Sequence, residues 1–571
     1  MKGKKTIITT TVLLLVLSIV FAACSKKGTE PIVVTDANGV PVTNVDGDVI
    51  TVVPETEIYD LTDENGNPVK DADGNAMTTV YYVPQDVPIP VTDSEGRAVT
   101  DADGNVYTTY VIVPNETTTG LVINVPVTDE NGETQTDSSG TPITETTIPY
   151  VIPDNDNSSI SISTGLGGSA TDTYVAVAAT SDGGFVAALR TTSKDGVLAS
   201  LADTKLNAGA IVKYTKTGHQ EWMQTFGGNG GVNINDICVD SQDNVYVVGE
   251  TKSKDFTSLH GSEYDAYLMK FDSKGKQQFL IGYGGTSNES FYGVDLDSTG
   301  NIYCVGFAYS ADGDSAPLNI PTGQSRAVIV KYDSKGNIIS QKGVGGFGDY
   351  FVSIDISSSD DIYLSGSFTS GTTITPIGMA DAGVFKYNTN LDLIFSTRFG
   401  GSKAEYFPSI TATSDGGCVI AGNSQSNDGD MAGVSNKGVR DAIIAKFDSF
   451  GSLLWVNSFK GNKDDLFTGV VENGSGQLLA TGYSESATRD FRTMGNYGGY
   501  DAFVARYDAD GQLISSQGFG GSGNDIFLSS CILRSGQIVA VGSTLSVDGY
   551  MASITPKSDG VNSTAIVLSF R

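Results

Sequence analysis

From about residue 159 onward, short apolar runs alternate with turn residues, and this alternation itself repeats. An apolar residue before a glycine-containing pair marks each copy, at Leu166, Phe226, Tyr283, Val344, Phe399, Phe459 and Phe519, with intervals of 60, 57, 61, 55, 60 and 60 residues. A second mark is an alternating run around Lys213, Lys270, Lys331, Lys386, Lys446 or Arg506, as in Asp441-Ala442-Ile443-Ile444-Ala445-Lys446-Phe447-Asp448. A degenerate seventh copy of that run, residues 564–570, ends the chain. Between the two marks come a strand, a tight turn and a second strand, clearest around Asp297-Ser298-Thr299-Gly300-Asn301 and recurring from Tyr174, Ile234, Phe351, Phe407, Phe467 and Phe527. Beta-branched runs bounded by Asp, Asn and Gly predict strands and hairpins. Four strands within a period near 60 predict a propeller blade. The chain stops after a third strand, while residues 160–168 match 513–521 in register. An N-terminal strand therefore completes the last blade and removes the open edges. The expectation is a seven-bladed, all-β propeller of four-stranded blades over 159–571.

Residues 24–158 follow another pattern. Four units open at Val34-Thr35-Asp36, Leu61-Thr62-Asp63, Val91-Thr92-Asp93 and Val127-Thr128-Asp129, each with a glycine three residues after the Asp. Two units repeat an Asp-Ala-Asp-Gly-Asn turn, from Asp71 and from Asp101. Units of about 30 residues with few large apolar groups cannot bury a core alone. Residues 25–158 hold 24 acidic and four basic side chains, so self-repulsion and regular prolines favour a spacer. We expect an extended or β-hairpin stalk. The Asp-rich turns lack the full ligand series of a calcium loop, and plain turn formation explains them.

The first 23 residues combine Lys2, Lys4 and Lys5 with an apolar run, 7–23, too short for a comfortable membrane span. The junction Phe21-Ala22-Ala23-Cys24 resembles a bacterial lipoprotein signal, although that pattern usually has leucine where Phe21 stands. The resemblance implies removal of residues 1–23, lipid on Cys24, and an extracytoplasmic, membrane-anchored and cell-surface location.

The propeller units carry a second resemblance, through Tyr500-Asp501-Ala502-Phe503-Val504-Ala505-Arg506-Tyr507-Asp508 and Phe519-Gly520-Gly521-Ser522-Gly523-Asn524-Asp525. These resemble the seven-bladed beta-propeller repeat (SBBP-type) family of exported bacterial proteins, over about 70% of the chain. Val232 departs from the pattern where other blades have an acid, and Lys460-Gly461 departs from Gly-Gly. The family implies repeat architecture and a surface location but no single activity.

Composition narrows the chemistry. The chain of 571 residues carries 66 acidic and 35 basic side chains, a formal charge of −31, which repels nucleic acid and anionic lipid heads. With only His219 and His260, histidine catalysis and histidine metal clusters have little material. Cys238, Cys304, Cys418 and Cys531 sit in apolar strand-like runs and read as buried thiols.

Two features bear on binding. If the fourth strand is outermost, the long, dissimilar second-to-third connections (191–209, 308–326, 424–440 and 484–500) share one face with the between-blade loops. Recognition usually resides in such loops. Several begin with Asp-Gly, at Asp195, Asp312, Asp428 and Asp548, where turn formation is the simpler reading. An acid also stands just ahead of the inner strand in six blades: Asp172, Glu289, Asp349, Glu405, Asp465 and Asp525. As a ring they would be candidates for a ligand or a weakly bound calcium ion. The competing reading, favoured by their repetition, has each carboxylate accept N–H bonds from its own glycine-rich loop. No pair of unequal carboxylates suggests glycosidase chemistry, and no cofactor is expected. The resulting expectation is a non-catalytic, lipid-anchored surface protein whose propeller binds a surface or secreted protein, or a polysaccharide. The alternatives are a propeller-type polysaccharide hydrolase or lyase, and an envelope assembly scaffold.

Overall fold

A computed structural model describes residues 160–570 except 258–260, 262, 370–373, 435–438, 493, 495–497, 553 and 555–561; N-terminal to these it describes the backbone of eight short strands. Two compact units result, 1–151 and 152–571. In the first, Ile32–Val33 pairs with Thr51–Val52, Glu55–Asp60 with Thr78–Val83, Asp86–Pro90 with Thr108–Ile112, and Ile123–Pro126 with Thr144–Thr147. All four pairings are antiparallel and two-stranded. The proposed signal residues and Cys24 lie outside the described residues.

The second unit contains seven four-stranded antiparallel sheets. Blade 1 comprises Asp172–Ala179, Phe185–Thr191, Ala208–Tyr214 and Gln220–Phe226 in spatial order. Blades 2 to 6 repeat this order from innermost strands beginning at Val232, Glu289, Tyr350, Glu405 and Asp465. Blade 7 takes Asp525–Ile532, Ile538–Thr544 and Thr564–Phe570 from the end of the chain. Its fourth strand is Ile160–Leu166, paired antiparallel from Ala565↔Leu166 to Phe570↔Ile160. First strands of successive blades pack together around the ring, and those of blades 7 and 1 close it.

Burial explains the residue choice in each strand. The second and third strands are sandwiched between neighbouring blades, so runs such as Ala442-Ile443-Ile444-Ala445 are apolar throughout and fully buried. Fourth strands such as Leu393–Phe399 and Leu453–Phe459 open with exposed residues and become buried only at their ends. Every first strand carries a bulge near its third residue, between Tyr174 and Ala176 in blade 1. In blade 5 the break runs from Tyr406 to Ser409 and contains Pro408, which has no N–H to give a ladder. The closing seam is as apolar as the others: Ile162 and Leu166 share a cluster with Ala187, Val212, Val539 and Val567.

The basic residue of the third strand secures the short-turn face. Lys213 Nζ lies 2.8 Å from Asp182 and 3.0 Å from Glu221, Lys386 lies 2.9 Å from Asp361, and Lys446 lies 2.5 Å from Asp415. Lys270 and Lys331 stand over the rings of Tyr246 and Tyr303, at 4.8 and 5.0 Å, and Lys331 also lies 3.8 Å from Asp297. Cys304, Cys418 and Cys531 are buried free thiols and Cys238 is half-buried. Among the described residues no helix is long and apolar enough to cross a membrane.

Candidate functional site

The six repeating acids stand at the head of the innermost strands, and all are 2% exposed or less. Asp172 accepts from the Gly168 N–H (2.8 Å), the Ser193 hydroxyl (2.8 Å) and the Thr191 hydroxyl. Glu289 accepts from the N–H groups of Gly285, Tyr309 and Ser310 at 2.9, 3.1 and 2.8 Å. Asp349 takes Gly346 and Thr369 N–H groups at 2.8 and 2.7 Å; Glu405 takes Gly401 N–H and the Ser424 hydroxyl at 3.0 and 2.8 Å. Asp465 and Asp525 repeat the scheme with Gly461, Ser484 and Ser486, and with Gly521, Thr544 and Ser546. Each carboxylate thus ties its glycine loop to the end of its second strand. Burial raises the pKa values of Asp172, Glu289, Glu405 and Asp525 against these hydrogen bonds, and pushes Asp465 to about 7. Blade 2 shows what replaces the acid. Val232 is buried, and the Thr251 hydroxyl donates to the Gly231 carbonyl at 2.8 Å.

A second set of acids escaped the sequence reading. Asp265, Asp381, Asp441 and Asp501 head the third strands of blades 2, 4, 5 and 6 and are buried. The Asp-Ala pair opening each of these strands was the available signal. A side chain at Gly284 would meet both Asp265 and Glu289 oxygens at 2.7 Å. Glycine is required there because two carboxylates flank the loop. Asp381 is balanced by Arg398, 3.3 Å away. Among the described residues, no group of three or more His, Cys, Asp or Glu side chains could hold a metal ion.

The Asp-Gly loops are locked as well. Asp195, Asp312, Asp428 and Asp548 accept from the N–H groups of Ser169, Thr286, Ser402 and Ser522 at 2.7–2.8 Å, joining each long connection to the adjacent between-blade loop. A short 3₁₀ turn follows and buries Leu198 and Leu201, Met431 or Met551 beneath the loops. Much of each long connection therefore covers the blade core.

Variation is concentrated closer to the axis. The residue after the repeating acid, or after Val232 in blade 2, pairs with the sixth of the second strand, and in these seven equivalent places the partners are Thr173↔Arg190, Asn233↔Glu250, Ser290↔Phe307, Tyr350↔Ser367, Tyr406↔Asn423, Leu466↔Tyr483 and Ile526↔Ser543. One side of this mouth is aromatic. Tyr292 meets Phe307 at 5.7 Å between ring centroids and Tyr350 at 5.9 Å. Tyr309 meets Phe307 at 5.4 Å and Phe347 at 6.1 Å. Tyr406 stands within electrostatic reach of Tyr350 and Tyr483, and Tyr483 meets Tyr500 edge-on at 5.0 Å. Phe347 is 57% exposed and Tyr406 42%. The arc thus runs over blades 3 to 6 on the long-loop face.

The opposite side, at blade 1, is concave. A cavity of about 160 Å³ is lined by Thr171, Thr173, Arg190, Thr192 and Asn207, with Val175 and Leu528 as its apolar wall. Arg190 reaches into blade 2, donating to the Ile234 carbonyl at 2.7 Å and to Asn235 Oδ1 at 3.1 Å. On the first strands below, Asp236, Asp295 and Asp355 each accept the N–H of a residue on the next blade's first strand, Val294, Ile356 and Ala412. Burial lifts Asp236 to about 7 and Asp355 to about 6, and raises Asp295 further with the help of the nearby Asp355 charge.

Residues 221–257 match the beta-propeller repeat family SBBP. The match covers one repeat, from the fourth strand of blade 1 into blade 2. Regulatory protein FlaEY of Caulobacter vibrioides is 24% identical over 175 residues, which is 29% of this chain and spans 18% of that relative's length. Among solved structures, hydrazine synthase of Kuenenia stuttgartiensis is 10% identical with a TM-score of 0.41, covering 69% of this chain and 94% of its own. The Pan2 WD40 domain of Neurospora crassa is 10% identical with a TM-score of 0.38, covering 71% and 97%. The phage phi92 endosialidase is 12% identical with a TM-score of 0.38, covering 72% and 69%. Likenesses this distant say nothing of activity.

Proposed function

We propose that this chain is a non-catalytic, lipid-anchored surface protein whose propeller binds a partner protein across its long-loop face. The observation that carries the reading is the aromatic arc at the channel mouth. Tyr292–Tyr350, Phe307–Tyr309, Tyr309–Phe347 and Tyr483–Tyr500 meet edge-on, and exposed Phe347 and Tyr406 present aromatic surface among them, as anchor residues of protein interfaces do. Platforms for sugar rings would stand apart with open faces. The six repeating acids, whose oxygens are engaged by their own loops, are assigned to holding blades together and not to ligand binding. The lipid anchor rests on the N-terminal resemblance around Cys24.

The test is a paired array of secreted proteins and of glycans, probed with the full chain and with Phe347→Ser/Tyr406→Ser. Both residues are exposed, so the double variant should fold normally. Protein binding that falls at least about tenfold in the variant supports the reading. Glycan binding lost in the same variant would transfer the face to a polysaccharide, and binding untouched by the variant would remove the arc from the site. Turnover of any glycan on the array would favour the hydrolase or lyase alternative. Mass spectrometry of membrane-extracted protein should find a lipid-modified N-terminal Cys24 peptide; an unmodified one in the soluble fraction would argue against the anchor.

A further inference from the structure

We infer that the cavity at blade 1 is a carboxylate-binding subsite, in which Arg190 receives a carboxylate presented by the partner protein. This deepens the reading of the long-loop face and rests on it for the source of the carboxylate. Three observations carry it. Arg190 is half-buried, yet its two hydrogen-bond acceptors, the Ile234 carbonyl and Asn235 Oδ1, are neutral. Its Nε is buried and has no hydrogen-bond partner. A guanidinium left that way retains much of its desolvation cost, which a bound anion would offset. Finally, the cavity beside it is large enough for a carboxyl group and its first substituents, with Thr171, Thr173, Thr192 and Asn207 among the residues that line it.

The blade equivalents of Arg190 are uncharged or acidic: Glu250, Phe307, Ser367, Asn423, Tyr483 and Ser543. The third-strand lysines, which hold the fold, recur with the repeat. Arg190 occurs once. Glu250 is near enough to act on it through space, but its Oε1 takes the Asn233 side-chain N–H at 3.0 Å. The molecule's net charge of −31 disfavours a polyanion, so an isolated carboxylate fits better than an acidic polysaccharide. The guanidinium suits a carboxylate through its charge and its N–H donors.

The experiment titrates small probes into the full-length protein, so it is independent of the partner and of the aromatic arc. The probes are N-acetylglycine for a chain-terminal carboxylate, propionate for an acidic side chain, glucuronate for a sugar acid, and N-acetylglycinamide as the neutral control. The readouts are calorimetric affinity and the Arg190 Nε–H resonance, assigned by its disappearance in Arg190→Lys. N-Acetylglycine or propionate should shift that resonance saturably, with the stronger of the two naming the source, while N-acetylglycinamide leaves it in place. Arg190→Lys should weaken the probe about tenfold or more, because the fork is lost. Thr173→Val should weaken it severalfold without changing the melting temperature, which keeps the test valid if Arg190→Lys folds poorly. A resonance unmoved by either carboxylate, equal response to the amide, or unchanged affinity in Thr173→Val would overturn the subsite. A clear preference for glucuronate would overturn the protein carboxylate as its ligand.

Discussion

Arg489 adopts φ +58° at the position where Gly196, Gly313, Gly429 and Gly549 adopt +56° to +62° in other blades. At the glycines the turn is close: a side chain on Gly313, Gly429 or Gly549 would press on the carbonyl of Gly284, Gly400 or Gly520 at 2.1–2.5 Å. Arg489 therefore carries left-handed strain in an exposed turn. Arg489→Gly should stabilise the protein by about 1 kcal/mol, read as a raised urea midpoint at constant slope. Gly549→Ala should destabilise by at least that amount. The raised carboxyls give a pH prediction. Asp236 and Asp465 are held at about 7 and Asp355 at about 6, against about 4 in an unfolded chain. Across that window the folded state binds protons the unfolded state lacks, so these groups lose their stabilising contribution as pH rises. Stability should decline between about pH 4 and 7, each group contributing on the order of 1 kcal/mol per pH unit inside its own window. Asp236→Asn should make that decline shallower; an unchanged pH profile would contradict the assignment.

At the scale of the element, the closing strand offers the sharpest test. Ile162, 5% exposed, would contribute roughly 1.5–3 kcal/mol by burial, before the ladder with residues 565–570 is considered. A chain starting at 159 should unfold cooperatively at a clearly higher temperature than one starting at 171. Equal melting temperatures would show that the ring does not depend on this strand. The strand was legible because residues 160–168 repeat 513–521, and because a chain ending on a third strand leaves an edge to fill. Blade number and strand order were legible for a related reason: every blade meets the same packing problem and solves it with the same pattern. The mouth was harder to see. Arg190 and Tyr406 occupy equivalent rows of different blades, and nothing local distinguishes them from other polar or aromatic strand residues until the register is known. The Thr251 switch at Val232 was invisible too, because a hydroxyl's choice of acceptor depends on a residue 19 positions away.

For the whole molecule, the repeated acids bear on ion dependence. Because each oxygen set is engaged by loop N–H and hydroxyl donors, a cation would have to displace those bonds to gain a ligand. Melting temperatures of the full chain in millimolar calcium and in chelator should agree within about a degree, whereas a site filled at a hundredfold over its dissociation constant would add about 2.7 kcal/mol. A rise of several degrees abolished by Asp525→Asn or Asp465→Asn would instead reveal a true ion site. The closing strand also has a mechanical consequence. Ile160 lies opposite Phe570, where the third strand of blade 7 ends, so the chain enters the propeller on the short-turn face, opposite the aromatic arc. A partner drawing on the long-loop face, against an N-terminus held in place, would load the closing strand along its own axis. The ladder to residues 565–570 would then be sheared, with its hydrogen bonds strained together, instead of being peeled one by one from an end. The seam that joins the two ends of the ring is thereby oriented to resist a pull between the long-loop face and the N-terminal end of that strand.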